Sequence, residues 1–326
     1  MADYVVYFDS GTSNSRIYLL DKDFQVLYVA KKNVGSRNSS IEGSNKVLIE
    51  GLYELYTTLL AEKNLKEEDI ENIYISGMIT SPYGMKEVPH LVLPLTVQGF
   101  ADSLYCHYED TCFKRNIYLV PGLKTVSEDF SYVGNMRGEE IEILGTLEEL
   151  KEMGITNAAL MMPGSHTHVT YVKDDVITDI LSNFTGELFY AIKKETILAP
   201  VLDMNVEDLD KEMIHKAIDN LKKFGFNRAL YICHAMRIMN SGTPEQRFAY
   251  GEGVVMGSLR IGLEHYCAER WQGCDTLVIV SDEFMYKLFS IIFEGSEYIK
   301  KIVWLPITAT KSYAVEGLKK IISLME

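Results

Sequence analysis

Cysteine, tryptophan and proline are all scarce in this chain, and positive charge is in deficit. Its 326 residues include 5 cysteines, 2 tryptophans and 8 prolines. Cys106, Cys112, Cys233, Cys267 and Cys274 show none of the paired spacings of a zinc or redox motif. An odd number of them, with no secretion signal visible, reads as reduced thiols in a cytoplasmic setting. The 32 basic side chains are outnumbered by 46 acidic ones, for a net charge of −14. Such a surface repels nucleic acid and anionic membranes, so neither is expected as a partner. No apolar run is long enough to span a bilayer, and Met1-Ala2-Asp3 leads directly into a strand pattern.

What is present suffices for two ordinary cores. Hydrophobic residues make up 47%, and the length exceeds what one core usually organises, so two domains are expected. Val5 to Phe8, Ile17 to Leu20 and Phe24 to Val29 read as three strands joined by turns at Asp9-Ser10-Gly11-Thr12-Ser13 and Asp21-Lys22-Asp23. A helix is expected over 45–63, strands at Ile73 to Ile75 and Ile117 to Val120, and an amphipathic helix from Gly138 to Leu150.

The opening pattern then recurs. Ala158 to Met162 ends at Pro163-Gly164-Ser165, Val169 to Val172 follows, and Val176 to Leu181 comes after a turn at Lys173-Asp174-Asp175. Helices are expected near 185–198, 206–223, 226–240, 244–266, 282–293 and 308–325, with strands at Leu277 to Val280 and Ile302 to Leu305. Two similar meanders half a chain apart suggest two related halves, with a junction at 140/141. Each half opens with a turn whose glycine lets backbone N–H groups approach a phosphate, with Thr12 or Ser165 adding a hydroxyl. Each turn alone is equally a tight hairpin bend. Asp9 either reaches a cation through water or closes its own turn, and Arg16 either meets an anion or forms a structural ion pair.

Several segments together resemble the 2-dehydro-3-deoxygalactonokinase family of bacterial sugar-acid kinases. They are Phe8-Asp9-Ser10-Gly11-Thr12-Ser13-Asn14-Ser15-Arg16, Ser76-Gly77-Met78-Ile79, Val88-Pro89, Val120-Pro121-Gly122-Leu123, Asn135-Met136-Arg137-Gly138-Glu139-Glu140, Met162-Pro163-Gly164-Ser165-His166 and Thr185-Gly186-Glu187-Leu188. They keep the family's order and cover most of residues 4–190. The resemblance implies an α/β chain of two actin-like (ribonuclease H-like) domains with a ligand cleft between them. The first domain would be 1–140 and the second 141–326, with ATP and Mg²⁺ in the cleft. It implies phosphate binding by Gly11, Thr12 and Ser13 and by Gly164, Ser165 and His166, with Mg²⁺ at Asp9. Arg137, Arg16 and Glu187 would bind the sugar acid, and Glu139, with Asp9, would be catalytic, taking the proton of the attacking hydroxyl. A homodimer is compatible with this reading. Other readings stay open: Glu139 and Glu140 also suit the dipole of the helix they open, His166 and His168 line one strand face without a third metal ligand in view, and Glu187 also suits a helix cap.

The pattern departs from the family in three places. His168 stands where a lysine is usual. Ser281-Asp282-Glu283-Phe284 replaces a small glycine turn, and Pro306-Ile307-Thr308-Ala309-Thr310 replaces another. The alternative to a kinase is therefore a non-catalytic binder of sugar acid or nucleotide with a degenerate ATP site.

Overall fold

Strict alternation builds the first sheet. In the strand Tyr4–Ser10, Val6 and Phe8 face one side and Tyr7 the other, and all three are fully buried because both faces are covered. Val6, Phe8, Ile17, Leu19, Ile73 and Ile75 pack on Leu48, Leu52, Tyr56 and Leu59 of the helix Lys46–Lys63. On the opposite face four tyrosines fall in register across four strands: Tyr18, Tyr7, Tyr74 and Tyr118. Tyr7 stacks on Tyr18 at 5.6 Å and Tyr74 on Tyr118 at 5.1 Å. The Tyr7 hydroxyl is held to Ser76 Oγ at 2.6 Å, so the buried phenol has its partner.

The structure, a computed structural model, describes residues 3–308 and 311–325. The chain divides into two units. Unit 1 holds the residues up to Gly154, Asp175–Ile177 and the C-terminal helix Tyr313–Met325. Unit 2 holds Ile155–Asp174 and continues from Thr178 through the strand Lys301–Pro306.

The main sheet of unit 1 runs Val26–Lys32, Ser15–Asp21, Tyr4–Ser10, Ile70–Gly77, Arg115–Leu119, Tyr105–Glu109. The sheet of unit 2 runs Val176–Phe184, His166–Lys173, Asn157–Met162, Thr276–Ser281, Lys301–Pro306. In both, the first strand of the hairpin pairs antiparallel with the second and parallel with a strand that returns after a helical segment. The two halves therefore share strand order and direction as well as sequence pattern. Between its hairpin and its returning strand, unit 2 carries a helical core. There Leu202, Ala217, Leu221, Cys233 and Val254 pack among Lys211–Phe224, Phe226–Ile238 and the long helix Pro244–Glu269. Among the described residues no helix is long and apolar enough to cross a membrane.

Three details differ from the sequence expectation. The third strand begins at Val26, because Phe24 takes a left-handed φ of 63° in a turn whose Asp23 and Gln25 amides donate to Asp21 Oδ1. The last helix begins at Tyr313; residues 309 and 310, in the expected span, lie outside the described residues. The helix Glu139–Glu152, expected to open a second domain from 141, belongs with unit 1. It meets the terminal helix backbone to backbone: a Cβ on Gly145 would strike the Tyr313 carbonyl, and one on Gly317 the Ile141 carbonyl.

Candidate functional site

The first glycine turn is braced from behind. Gly11 donates its amide to the Asn14 carbonyl at 2.9 Å, closing the bend, and Ser10 and Ser15 share a hydroxyl hydrogen bond of 3.0 Å beneath it. Ser15 Oγ also donates to the Val34 carbonyl at 2.8 Å, which fixes the approach of Gly35. A Cβ on Gly35 would lie 2.5 Å from the carbonyl oxygens of both Gly11 and Thr12, so only glycine fits. The Ser36 and Arg37 amides donate to those same two carbonyls, at 3.3 and 2.9 Å. With the carbonyls tied to the helix Ser36–Glu42, the Thr12 and Ser13 amides make no hydrogen bond among the described residues. Gly11 itself is not required by packing: its Cβ would meet only the Asn14 carbonyl, at an ordinary 3.4 Å. The turn thus keeps open donors and an open face, the arrangement an anion needs.

The second turn repeats the device within unit 2. Gly186 packs on the Gly164 carbonyl, where a Cβ would collide, and the Glu187 amide donates to the Ser165 carbonyl at 2.8 Å. The Gly164 and Ser165 amides make no hydrogen bond among the described residues. Thr167 and Thr185 share a hydroxyl bond of 2.7 Å, as Ser10 and Ser15 do in unit 1. His166 Nε2 meets Glu187 Oε2 at 2.8 Å, both exposed, with the ring edge-on to Phe184. His168 is buried and pairs Nδ1 with Ser182 Oγ at 3.0 Å; burial first, and His166 second, push it down to about 4, so it is neutral. Neither Gly35 nor the bracing role of Gly186 was apparent from the sequence. The available signal was a glycine just after the third strand of each meander, Val34-Gly35-Ser36 and Thr185-Gly186-Glu187.

Beside the first turn lies an acidic cluster. Gly77, at φ 90°, would place a Cβ 2.5 Å from the Ser10 carbonyl, and a Cβ on Gly138, at φ 120°, would meet Gly77 Cα at 3.5 Å. This close approach brings the first turn of the helix Glu139–Glu152 to the end of the first strand. Asp9 is raised by burial and lowered by Arg16, its cross-strand partner. Glu142 is pushed up to about 8 by burial, then by the charges of Asp9 and Glu139, with Arg16 opposing. Glu142 is thus within electrostatic reach of Asp9, Glu139 and Arg16, and Arg16 also donates to the Tyr18 hydroxyl at 3.1 Å. Among the described residues no group of three His, Cys, Asp or Glu is disposed to enclose a metal. Asp9 and Glu142 are the residues that would hold a Mg²⁺ here, and the negative charge of the cluster suits a cation.

Glu140 differs from its neighbour. It is wholly buried, accepts the Gly138 amide at 2.6 Å through Oε2, and leaves Oε1 buried without a hydrogen bond. Burial, then Glu139, push it up to about 8. Glu139 is half-buried, with its Oε2 buried, and is more exposed than Glu140.

Arg137 draws together regions remote in the sequence. Its Nη1 donates to Thr80 Oγ1, and its Nη2 to the Val88 carbonyl and to the His90 ring at 3.2 Å. The His90 ring in turn lies against Gly122, where a Cβ would come 2.8 Å from Cδ2. Burial and the Arg137 charge hold His90 down at about 4. Both terminal nitrogens of Arg137 thus serve the fold of unit 1, although the sequence suggested a fork directed at a carboxylate.

In unit 2 the departing loop is structural. Asp282 caps the helix Glu283–Phe293 by accepting the Met285 amide at 2.9 Å, Glu283 pairs outward with Lys287, and Trp304 Nε1 donates to the Ser281 carbonyl at 3.0 Å. Of the other glycine-free turn, Pro306 to Thr308 are described and 309–310 lie outside the described residues.

A family model described as 2-keto-3-deoxy-galactonokinase matches residues 9–318. A curated protein of Rhizobium meliloti (strain 1021), named "Probable 2-dehydro-3-deoxygalactonokinase", is 28% identical over 198 residues, 61% of this chain. The match spans 59% of that relative's own length. A solved Sinorhizobium meliloti structure bearing the 2-dehydro-3-deoxygalactonokinase name aligns over 98% of this chain and 97% of its own, with a TM-score of 0.75 at 22% identity. Porphyromonas gingivalis acetate kinase aligns over 100% of both chains with a TM-score of 0.50 at 10% identity. The fold is that of the actin-like ATPases and sugar kinases, in agreement with the two matching sheets.

Proposed function

We propose, because the chain belongs to the 2-keto-3-deoxy-galactonokinase family, that it is a carbohydrate kinase which uses ATP to phosphorylate a hydroxyl of a 2-keto-3-deoxy sugar acid such as 2-dehydro-3-deoxygalactonate. The observation that carries this reading is the pair of braced turns, each with unpaired amides on an open face, one of them next to an acidic cluster. When bound, ATP supplies the transferable phosphoryl group and Mg²⁺ neutralises its charge.

The chain's own residues would act as follows. The Thr12 and Ser13 amides, with the Thr12 hydroxyl, hold phosphate oxygens at unit 1; the Gly164 and Ser165 amides, with His166, do so at unit 2. Asp9 and Glu142 would hold the metal, and Arg16 would keep their charge in balance. Glu139, half-buried at the helix start with its Oε2 buried, takes the proton of the attacking hydroxyl on Oε1. Arg137, held by Thr80, Val88 and His90, contributes fixed positive charge and positions the helix bearing Glu139. Glu187, tied to His166, meets sugar hydroxyls. Catalysis rests on placement and charge rather than on a covalent intermediate.

The test is ADP release by purified protein with ATP, Mg²⁺ and a panel of 2-keto-3-deoxy acids. Turnover with at least one acid is expected; none above background removes the reading. Thermal shift separates the binder alternative: stabilisation by a sugar acid but not by ATP with Mg²⁺ would favour a non-catalytic protein.

A further inference from the structure

Unit 1 contains four arginines: Arg16, Arg37, Arg115 and Arg137. A guanidinium is well suited to recognising a sugar acid, because it meets a carboxylate with two parallel hydrogen bonds when its fork is available. Three of the four are committed elsewhere. Arg137 spends both terminal nitrogens on Thr80, Val88 and His90. Arg115 donates to the carbonyls of Ile70 and Glu71 at 3.0 and 2.9 Å and pairs with Glu67. Arg16 faces Asp9 and Glu142 and bonds the Tyr18 hydroxyl.

Arg37 is the exception. It is exposed and has neither an ion pair nor a side-chain hydrogen bond among the described residues. Its place is nonetheless fixed, because its amide donates to the Thr12 carbonyl and Gly35 locks the preceding residue onto the same turn. An anchored backbone with an uncommitted guanidinium, beside the turn that would hold the transferred phosphate, is what a carboxylate-bearing acceptor would meet. The second unit makes the contrast plain: Glu187, whose amide donates to the Ser165 carbonyl as that of Arg37 does to Thr12, already has His166 as its side-chain partner.

We propose that Arg37 is the specificity-determining residue of unit 1, its guanidinium receiving the carboxylate of the sugar acid. This rests on the kinase reading above and replaces Arg137 in that one role. The test compares wild type, Arg37→Ala and Arg37→Lys in steady-state kinetics with a 2-keto-3-deoxy acid, with its uncharged primary amide, and with ATP as varied substrate. Arg37→Ala is expected to raise KM for the acid by roughly 10- to 100-fold, the range of a lost charge-assisted bond. Arg37→Lys recovers part of that loss, KM for ATP stays at the wild-type value, and the amide no longer distinguishes the variants. Unchanged KM for the acid in Arg37→Ala overturns the proposal, and so does a rise confined to ATP, which would place the guanidinium on phosphate. If wild type neither phosphorylates any acid of the panel nor binds one by calorimetry, the kinase reading falls first and this inference with it. A normal melting temperature for Arg37→Ala confirms that the readout is recognition and not folding.

Discussion

The two glycine turns are built alike and equipped differently. Each is a hairpin bend whose carbonyls are tied down by a glycine and a helix start, Gly35 with Ser36–Glu42 in unit 1 and Gly186 with Gly186–Glu195 in unit 2. Each has a hydroxyl pair beneath it, Ser10 with Ser15 and Thr167 with Thr185. Only the first has Asp9, Glu139 and Glu142 beside it; the second has neutral His168 and the His166–Glu187 pair. The lesson is that a duplicated backbone device fixes where an anion can sit, while side chains added to one copy decide where chemistry can happen.

The sharpest way to break this contrast is at the acid. Glu139→Gln is expected to lower kcat by roughly 10²- to 10⁴-fold with little change in KM for ATP, the range of a lost general base. Equal loss from Glu187→Ala would erase the distinction between the turns.

The likeness of the turns is tested by the bracing glycines. Gly35→Ala and Gly186→Ala each force a Cβ into carbonyl oxygens and should cost about 2–3 kcal/mol, read from denaturant midpoints. A silent substitution at either would show that its turn can be rebuilt without the brace.

Burial of acid in each unit gives a pH test. Glu140 in unit 1 and Glu252 in unit 2 are both pushed up to about 8 by burial, from an ordinary 4.5. The folded state then holds a proton that the unfolded state has lost. The stability this confers is full below about 4.5 and disappears as pH rises through about 8. Glu252→Gln should flatten the fall in melting temperature between pH 5.5 and 8 and add about 1–2 kcal/mol at the upper end. An unaltered slope would mean that Glu252 ionises in the folded protein without difficulty. The smallest effect is expected from Glu187→Ala on stability, below about 0.5 kcal/mol, since its pair with His166 is exposed; a melting curve shifted by several degrees would contradict that.

Much of the fold was legible because strands here are short apolar runs ended by turn residues. Val5 to Phe8 and Ala158 to Met162 predicted their strands to within a residue or two, and the repeat predicted two sheets of one kind. What was not legible depends on contacts distant in sequence. Gly35 is 23 residues from Thr12, and only the folded hairpin shows that it must be glycine. Arg137 looked like a ligand-binding fork because Thr80, Val88 and His90 are remote in the chain. The junction at 140/141 misplaced the helix Glu139–Glu152 because its partner helix lies at the far end of the sequence. Among the site residues, Asp9, Arg16, Glu139 and Glu142 come together in unit 1, while the sequence pointed to the first three of these and passed over Glu142.

The contact of Gly145 with Tyr313 and of Gly317 with Ile141 also bears on biosynthesis. Unit 2 is encoded as one nearly uninterrupted stretch, whereas unit 1 also needs the helix Tyr313–Met325, which is made after unit 2. Domains generally fold as they emerge, so unit 1 begins before unit 2 and is completed after it. Until Tyr313–Met325 arrives, the nascent chain presents the face of Glu139–Glu152 around Ile141 and Gly145 without its cover, and a stop codon ahead of Tyr313 would leave that face exposed for the life of the protein.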